Sequence, residues 1–226
     1  MFKQRRICLV GATGMVGMEM IEQAISRSDI RIVGVARREA SLPPGARMEM
    51  LLAEPANWDD AIAASGAKVL VSALGTTRAK AQGDEAAFRA VDYDLVLQCA
   101  KAAKASGIDH MILISSAGAG IASGNLYLRT KGEIEDALAK LHFRRLDILR
   151  PGLIRGHRDE RRPLEKLAMV GSPLADLFLI GGKRKYRSIP VATLAQAVFA
   201  LAREKPGGRF IHEHDAMLYA IRRIGA

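Results

Sequence analysis

Tyr127 and Lys131 stand four residues apart in N-L-Y-L-R-T-K-G-E-I-E-D-A-L. The stretch has helical, amphipathic spacing, so both side chains fall on one helix face. Together they suit proton transfer. A free phenol ionises near pH ~10, too high to exchange protons readily at neutral pH, and a nearby ammonium stabilises its phenolate. Eleven and twelve residues upstream, Ser116 and Ser115 close the apolar run H-M-I-L-I, and a serine hydroxyl there can hold a carbonyl oxygen. Taken alone, a Tyr–Lys pair is also what an exposed helix shows. The serines are what lift it above that.

A proton donor and a carbonyl anchor need a hydride source, and the N-terminus supplies the candidate. Arg6 to Gly17 reads R-I-C-L-V-G-A-T-G-M-V-G. Ile7–Val10 is long enough for one buried strand, Gly11, Gly14 and Gly17 follow, and helix-compatible spacing continues from Met18. A strand entering a helix through a glycine turn is where a dinucleotide pyrophosphate is held, because unpaired N–H groups at the helix start attract phosphate. The G-x-x-G-x-x-G spacing differs from G-x-G-x-x-G and is weak by itself; its place after the first strand strengthens it. With hydride arriving from a nicotinamide, Tyr127 would protonate the alkoxide and Lys131 would hydrogen-bond the nicotinamide ribose.

The elements that must position these groups alternate. A first helix runs from about Gly14 to Ser28, and a second strand, Arg31–Val35, ends in Ala36-Arg37-Arg38. The tip of that strand meets the adenosine ribose in a doubly wound fold, where an acidic residue would select NAD. Two arginines instead suit a 2′-phosphate. One hydrogen bond to a charged group is worth about 1.5–3 kcal/mol, so a single contact favours NADPH by at least roughly tenfold.

Met48–Leu52 is a third strand and Asn57–Ala64 a short helix, with Trp58 as a packing anchor. Lys68–Ala73 is a fourth strand, and it leads into Leu74-Gly75-Thr76-Thr77 over the ribose and phosphates. A long helix spans about Gly83–Ser106, with Val91, Leu95 and Ala102 on its apolar side. His110–Ile114 is a fifth strand and Leu146–Leu149 a sixth. Pro190–Arg203 and Asp215–Arg223 read as helices. The pattern is an α/β fold, a Rossmann-type doubly wound parallel sheet with helices on both faces, in a single domain spanning residues 1–226. The glycine turn, Arg37-Arg38, Leu74 to Thr77 and Ser115-Ser116 all lie at strand carboxyl ends, where such sheets bind ligands.

Composition narrows the partners. The net charge of +10 favours anions. Aromatic residues make up only 5% of the chain, too few for a stacking platform, and basic groups are interrupted, so nucleic acid is disfavoured. Two cysteines, Cys8 and Cys99, have no metal-ligand spacing, so no metal is expected, and both read as small buried hydrophobes. No apolar run approaches membrane-spanning length, and residues 1–6 lead straight into a strand. The expectation is a soluble cytoplasmic protein with no membrane partner.

G-A-T-G-M-V-G, A-R-R, S-A-L-G-T-T, S-S-A-G-A, Y-L-R-T-K-G-E-I-E, L-R-P-G-L-I and D-E-R-R-P run in this order from residue 11 to residue 163. In these motifs the chain resembles an atypical short-chain dehydrogenase/reductase, and within that superfamily the Tat-interacting-protein-like oxidoreductases. The resemblance implies an NADPH site. Thr13, Gly14, Met15 and Val16, within the Gly11–Gly17 loop, would cradle the pyrophosphate, and Arg37 and Arg38 would take the 2′-phosphate. Leu74 and Gly75 would line the ribose and nicotinamide path, and Ile154 and Arg162 would close over the nicotinamide end. Tyr127 and Lys131 match the family's proton donor and lysine. Either Ser115 or Ser116 is the active-site serine, with Ser116 preferred. The asparagine that family members use in the long helix has no counterpart, and Asp92 sits there instead.

Residues 151–187 are irregular and basic, and in such reductases this region, here mainly 151–190, shapes the substrate pocket. The reading is an NADP(H)-preferring reductase of a small carbonyl compound, compatible with an anionic one. The alternative is a redox-sensing module that uses the same pocket without turnover. Composition and motifs leave the oligomeric state open.

Overall fold

The computed structural model describes residues 4–76, 84–156 and 176–224. Its centre is β1 (Arg5–Val10), whose Ile7, Cys8, Leu9 and Val10 are all fully buried. A strand apolar on both faces needs cover above and below, which is the position of an inner strand in a parallel sheet. β1 lies between β2 (Ile30–Ala36) and β4 (Val69–Ser72). β3 (Glu49–Leu52) flanks β2; β5 (His110–Ile114) and β6 (Arg145–Leu149) continue the other side, and β9 (Gly208–His212) ends it. All these pairings are parallel. The expected doubly wound Rossmann-type sheet is therefore the observed one.

Two layers of helix cover the sheet. On one face Ile7, Leu9 and Ile32 pack with Met20 and Ile21 of α1 (Met15–Ala24) and with Leu194, Val198 and Phe199 of the helix Val191–Ala202. On the other, Cys8, Val10 and Leu70 pack with Ile62 of α2 (Trp58–Ala64), Val96 and Cys99 of α4 (Val96–Ala105), and Ile134 of α5 (Leu126–Ala139). Both thiols are buried hydrophobes; burial pushes Cys8 up to about 12 and raises Cys99 as well. Trp58 is a packing anchor, its indole Nε1 donating to the Ala53 carbonyl at 2.9 Å.

Three local features depart from expectation. β9, G-R-F-I-H, is an edge strand with polar, exposed positions, so it carries no apolar run to announce it. The two-residue strands β7 (Ile154–Arg155) and β8 (Ile189–Pro190) pair with each other and bring order to a segment that reads as irregular. The long helix begins with α3 (Glu85–Arg89), capped by the Asp84 carboxylate, then passes through a π-helical turn at Ala90–Leu95 before α4. A π turn inserts an extra residue and rotates the rest of the helix relative to the part before it. Val91 and Leu95 are consequently only half-buried, although Ala102 is buried, and Asp92 faces inward instead.

Candidate active site

Strand register places the chemistry. Val35, Val10, Ser72, Leu113, Ile148 and Ile211 form one row across the sheet. One to three residues beyond that row come Gly11, Arg37 and Arg38, Ala73 to Gly75, Ser115 and Ser116, and Arg150. The chain winds from β1 through β2 to β3, then crosses back to β4, so the switch point lies between β1 and β4. Sheets of this kind bind ligands at that crevice.

The glycines there are not equivalent. Gly11 has φ +84°, and a Cβ on it would lie 2.5 Å from the Ala73 carbonyl carbon, so it is needed for the turn and for the close passage of β1 past the end of β4. A Cβ on Gly17 would collide with the Gly11 carbonyl oxygen and lie 2.7 Å from Ala12 Cα. Gly17 thus lets α1 press onto the end of β1. Gly14, the N-cap of α1, is exposed and offers no side chain to cap the first turn, which also lacks an acidic residue. The N–H groups of the first helical turn have no intrahelical acceptor and carry the positive end of the helix dipole. Thr13 is exposed beside them, Met15 is half-buried, and Val16 is buried. This cradle fits a dinucleotide pyrophosphate.

Around it stand the other candidates. Arg37 and Arg38 are exposed just past β2; just past β4, Leu74 is half-buried and Gly75 exposed. Ile154 is half-buried in β7, and two residues on, a Cβ on Gly156 would lie 2.9 Å from Met15 Sδ, so this strand runs beside the start of α1. Arg162 lies outside the described residues.

Asn125 caps α5 by accepting the Leu128 N–H at 3.3 Å, which sets Tyr127 in the first turn. A Cβ on Gly132 would lie 2.6 Å from Gly120 Cα, so a glycine is what allows α5 to press against the loop after β5. Tyr127 is 38% exposed and tilts against Phe88 at 5.9 Å between ring centroids. Lys131 is buried, with Nζ 6.0 Å from the Tyr127 ring centroid and 2.8 Å from Asp92 Oδ1. The other Asp92 oxygen accepts the Thr76 N–H at 2.8 Å.

The two serines part company. Ser115 is buried and donates its hydroxyl to Glu135 Oε1. Glu135 is buried too and pairs with Arg150, whose Nε donates to it at 3.0 Å. Ser116 is half-buried, and its hydroxyl makes one long contact, 3.4 Å, with the Ala117 carbonyl. Asp92, Glu135 and Arg150 carry no role in the sequence reading, yet they hold the groups that do. One signal pointed to Glu135: Tyr127, Lys131 and Glu135 repeat at intervals of four on a single helix face.

At the neighbouring edge, Asp147 meets His110 Nε2 and His212 Nε2, each at 2.7 Å, and Arg145 Nε at 2.6 Å. Burial pushes the Asp147 carboxyl up, but these hydrogen bonds outweigh it and hold the group well below the usual carboxylate range. Burial pushes His110 down, against its hydrogen bond to Asp147. Folding thus favours neutral imidazole beside ionised carboxylate, and the unfolded chain binds more protons in acid. Stability is expected to fall as pH drops below about 6.5 and again below about 4. Thermal melts from neutral to acid check this. His110→Gln should flatten the first part of the fall, and a slope as steep as the wild type's would exclude His110 as its source.

A parallel sheet with an uncapped helix start at its switch point defines the protein as one with the Rossmann-type fold of NAD(P)-binding oxidoreductases. A family model described as NAD(P)H-binding matches residues 11–205, and the chain belongs to this NAD(P)H-binding family. "Protein fmp52, mitochondrial" of Emericella nidulans is 40% identical over 169 residues, 72% of this chain and 72% of its own. "Protein FMP52, mitochondrial" of Candida albicans is 39% identical over 161 residues, 69% of this chain and 70% of its own. Among solved structures, Bordetella bronchiseptica WbmG in complex with NAD superposes with a TM-score of 0.68 at 16% identity, covering 99% of this chain and 79% of that one. A UDP-N-acetylglucosamine 4-epimerase from Methanobrevibacter ruminantium gives 0.71 at 16% identity, covering 93% and 77%. These structures share the fold.

The relatives' names correct one expectation. A cytoplasmic location was inferred from the lack of an apolar span and from an N-terminus that enters a strand directly, and relatives at this identity are named as mitochondrial. The inference fails because neither feature reports a compartment. Among the described residues no helix is long and apolar enough to cross a membrane, which says only that.

Proposed function

We propose that this protein is an NADPH-dependent reductase of a small carbonyl compound, working through Ser116, Tyr127 and Lys131 within one NAD(P)-binding domain, residues 1–226. The observation that carries the reading is the pairing of Tyr127 and Lys131 on one face of α5, at the sheet edge that also holds the glycine turn. Gly11, Thr13, Gly14, Met15, Val16 and Gly17 hold the pyrophosphate on the start of α1. Arg37 and Arg38 take the 2′-phosphate, Leu74 and Gly75 flank the ribose, and Ile154 lies beside the nicotinamide end.

When bound, NADPH supplies the hydride that the substrate's carbonyl carbon accepts. The protein's own part is to hold and protonate the oxygen. The Ser116 hydroxyl donates to that oxygen and fixes its position. Ser115, whose proton is committed to Glu135, instead anchors the loop. As negative charge develops, the Tyr127 phenol gives up its proton, and the Lys131 ammonium steadies the phenolate left behind. Tyr127 is exposed enough to recover a proton from water. Elements within 151–190 shape the pocket, and the basic character of that segment suits an anionic carbonyl substrate.

Titration with both cofactors tests the reading. NADPH is expected to bind at least roughly tenfold more tightly than NADH, and Arg37→Ala with Arg38→Ala should erase the difference. Equal affinities in the wild type would remove the role given to the arginines. A panel of small aldehydes and ketones, anionic ones included, should show NADPH oxidation. A silent panel alongside tight NADPH binding would favour a sensor.

A further inference from the structure

We infer that Asp92 is a positioning residue of the cofactor site: one carboxylate fixes both the Lys131 ammonium and the loop over which the nicotinamide ribose would lie. The inference rests on the proposed NADPH site and adds a residue to it. Asp92 is fully buried, Lys131 nearly so, and their charges lie 2.8 Å apart. Burying two charges is costly and gains little stability over apolar packing, so a pair kept there at a strand's end points to function.

The contacts divide between the two oxygens. Oδ2 accepts the Thr76 N–H at 2.8 Å and ties the π turn to the end of β4. Oδ1 meets Lys131 Nζ off the line of a directed hydrogen bond, and it has no other partner among the described residues. Among the described residues the ammonium is thus held in place by charge and makes no directed hydrogen bond, which leaves its N–H bonds to aim elsewhere. Above the pair is Gly75, where a Cβ would lie 3.6 Å from Asp92 Oδ1 and 3.9 Å from Lys131 Nζ. A glycine there leaves the approach to both groups open. The π turn is what carries Asp92 to this spot, since the regular helical stripe would present Val91 and Leu95.

The test compares NADPH with adenosine 2′,5′-bisphosphate, which has the 2′-phosphate but no nicotinamide ribose, by calorimetry on the full chain. Asp92→Asn keeps the shape and an acceptor for Thr76 while removing the charge. It should weaken NADPH binding by about tenfold and leave the bisphosphate unchanged. In a Lys131→Met background, Asp92→Asn should cost nothing further, because the aspartate acts through the lysine. Asp92→Ala, which also frees Thr76, should weaken NADPH more than Asp92→Asn does. An Asp92→Asn protein with wild-type NADPH affinity would overturn the inference, as would equal losses for both ligands or effects that multiply in the double variant. A wild-type chain that binds the bisphosphate as tightly as NADPH would also overturn it, leaving the phosphate half of the site standing. A wild-type chain that binds neither would sink the proposed function itself.

Discussion

Tyr127→Phe is expected to bind NADPH with wild-type affinity and to lose turnover on a carbonyl substrate by a factor of about 10²–10⁴, the range in which a positioned general acid contributes. The variant removes one hydroxyl and little else. The ring is 38% exposed, so no buried partner is orphaned, and its tilted contact with Phe88 needs only the ring. Lys131 keeps its place because Asp92 holds it, 2.8 Å away. Melting temperature should therefore stay near the wild type's, which separates lost chemistry from lost structure. Single-turnover kinetics with a substrate found in the panel would provide the measurement. Unchanged turnover would remove Tyr127 as proton donor.

Gly17→Ala is expected to act on the other half of the site. The added methyl meets backbone, the Gly11 carbonyl oxygen and Ala12, rather than a side chain that can swing away. α1 must lift from the end of β1, at a cost of about 1–3 kcal/mol in stability. The N–H groups at its start then miss the pyrophosphate. Losing two charge-assisted hydrogen bonds costs about 3 kcal/mol or more, roughly a hundredfold in NADPH affinity. Gly14→Ala is the comparison for stability alone, because a Cβ there meets nothing closer than the Gly11 carbonyl oxygen at 3.3 Å, and its melting temperature should stay nearer the wild type's. Equal effects at the two positions would show that the turn, and not the helix–strand contact, is what matters.

Much of the sheet is legible in the residues because buried parallel strands announce themselves. Ile7–Val10, Arg31–Val35 and His110–Ile114 are short apolar runs bounded by turn signals, and each is a strand within a residue or two. β9 escapes for the opposite reason: an edge strand needs no apolar run, and Gly208 and Arg209 are exposed. The first helix ends at Ala24 rather than near Ser28, since its continuation as far as Ser28 was helix-compatible in pattern only. The buried stripe of the long helix was misplaced because periodicity assumes constant pitch, and the π turn at Ala90–Leu95 breaks it.

The candidate site divides in the same way. The glycine turn, the arginine pair after β2 and the Tyr127–Lys131 spacing are local matters, set by backbone sterics and helical period, and they are readable from neighbouring residues alone. Which serine is free, what holds Lys131 and why a side chain at position 11 would meet Ala73 depend on groups far along the chain. Glu135 takes the Ser115 hydroxyl from 20 residues away, and Asp92 takes the Thr76 N–H from 16. Contacts of that kind exist only once the sheet has stacked its strand ends at one edge, because burial there makes an unpaired polar group costly.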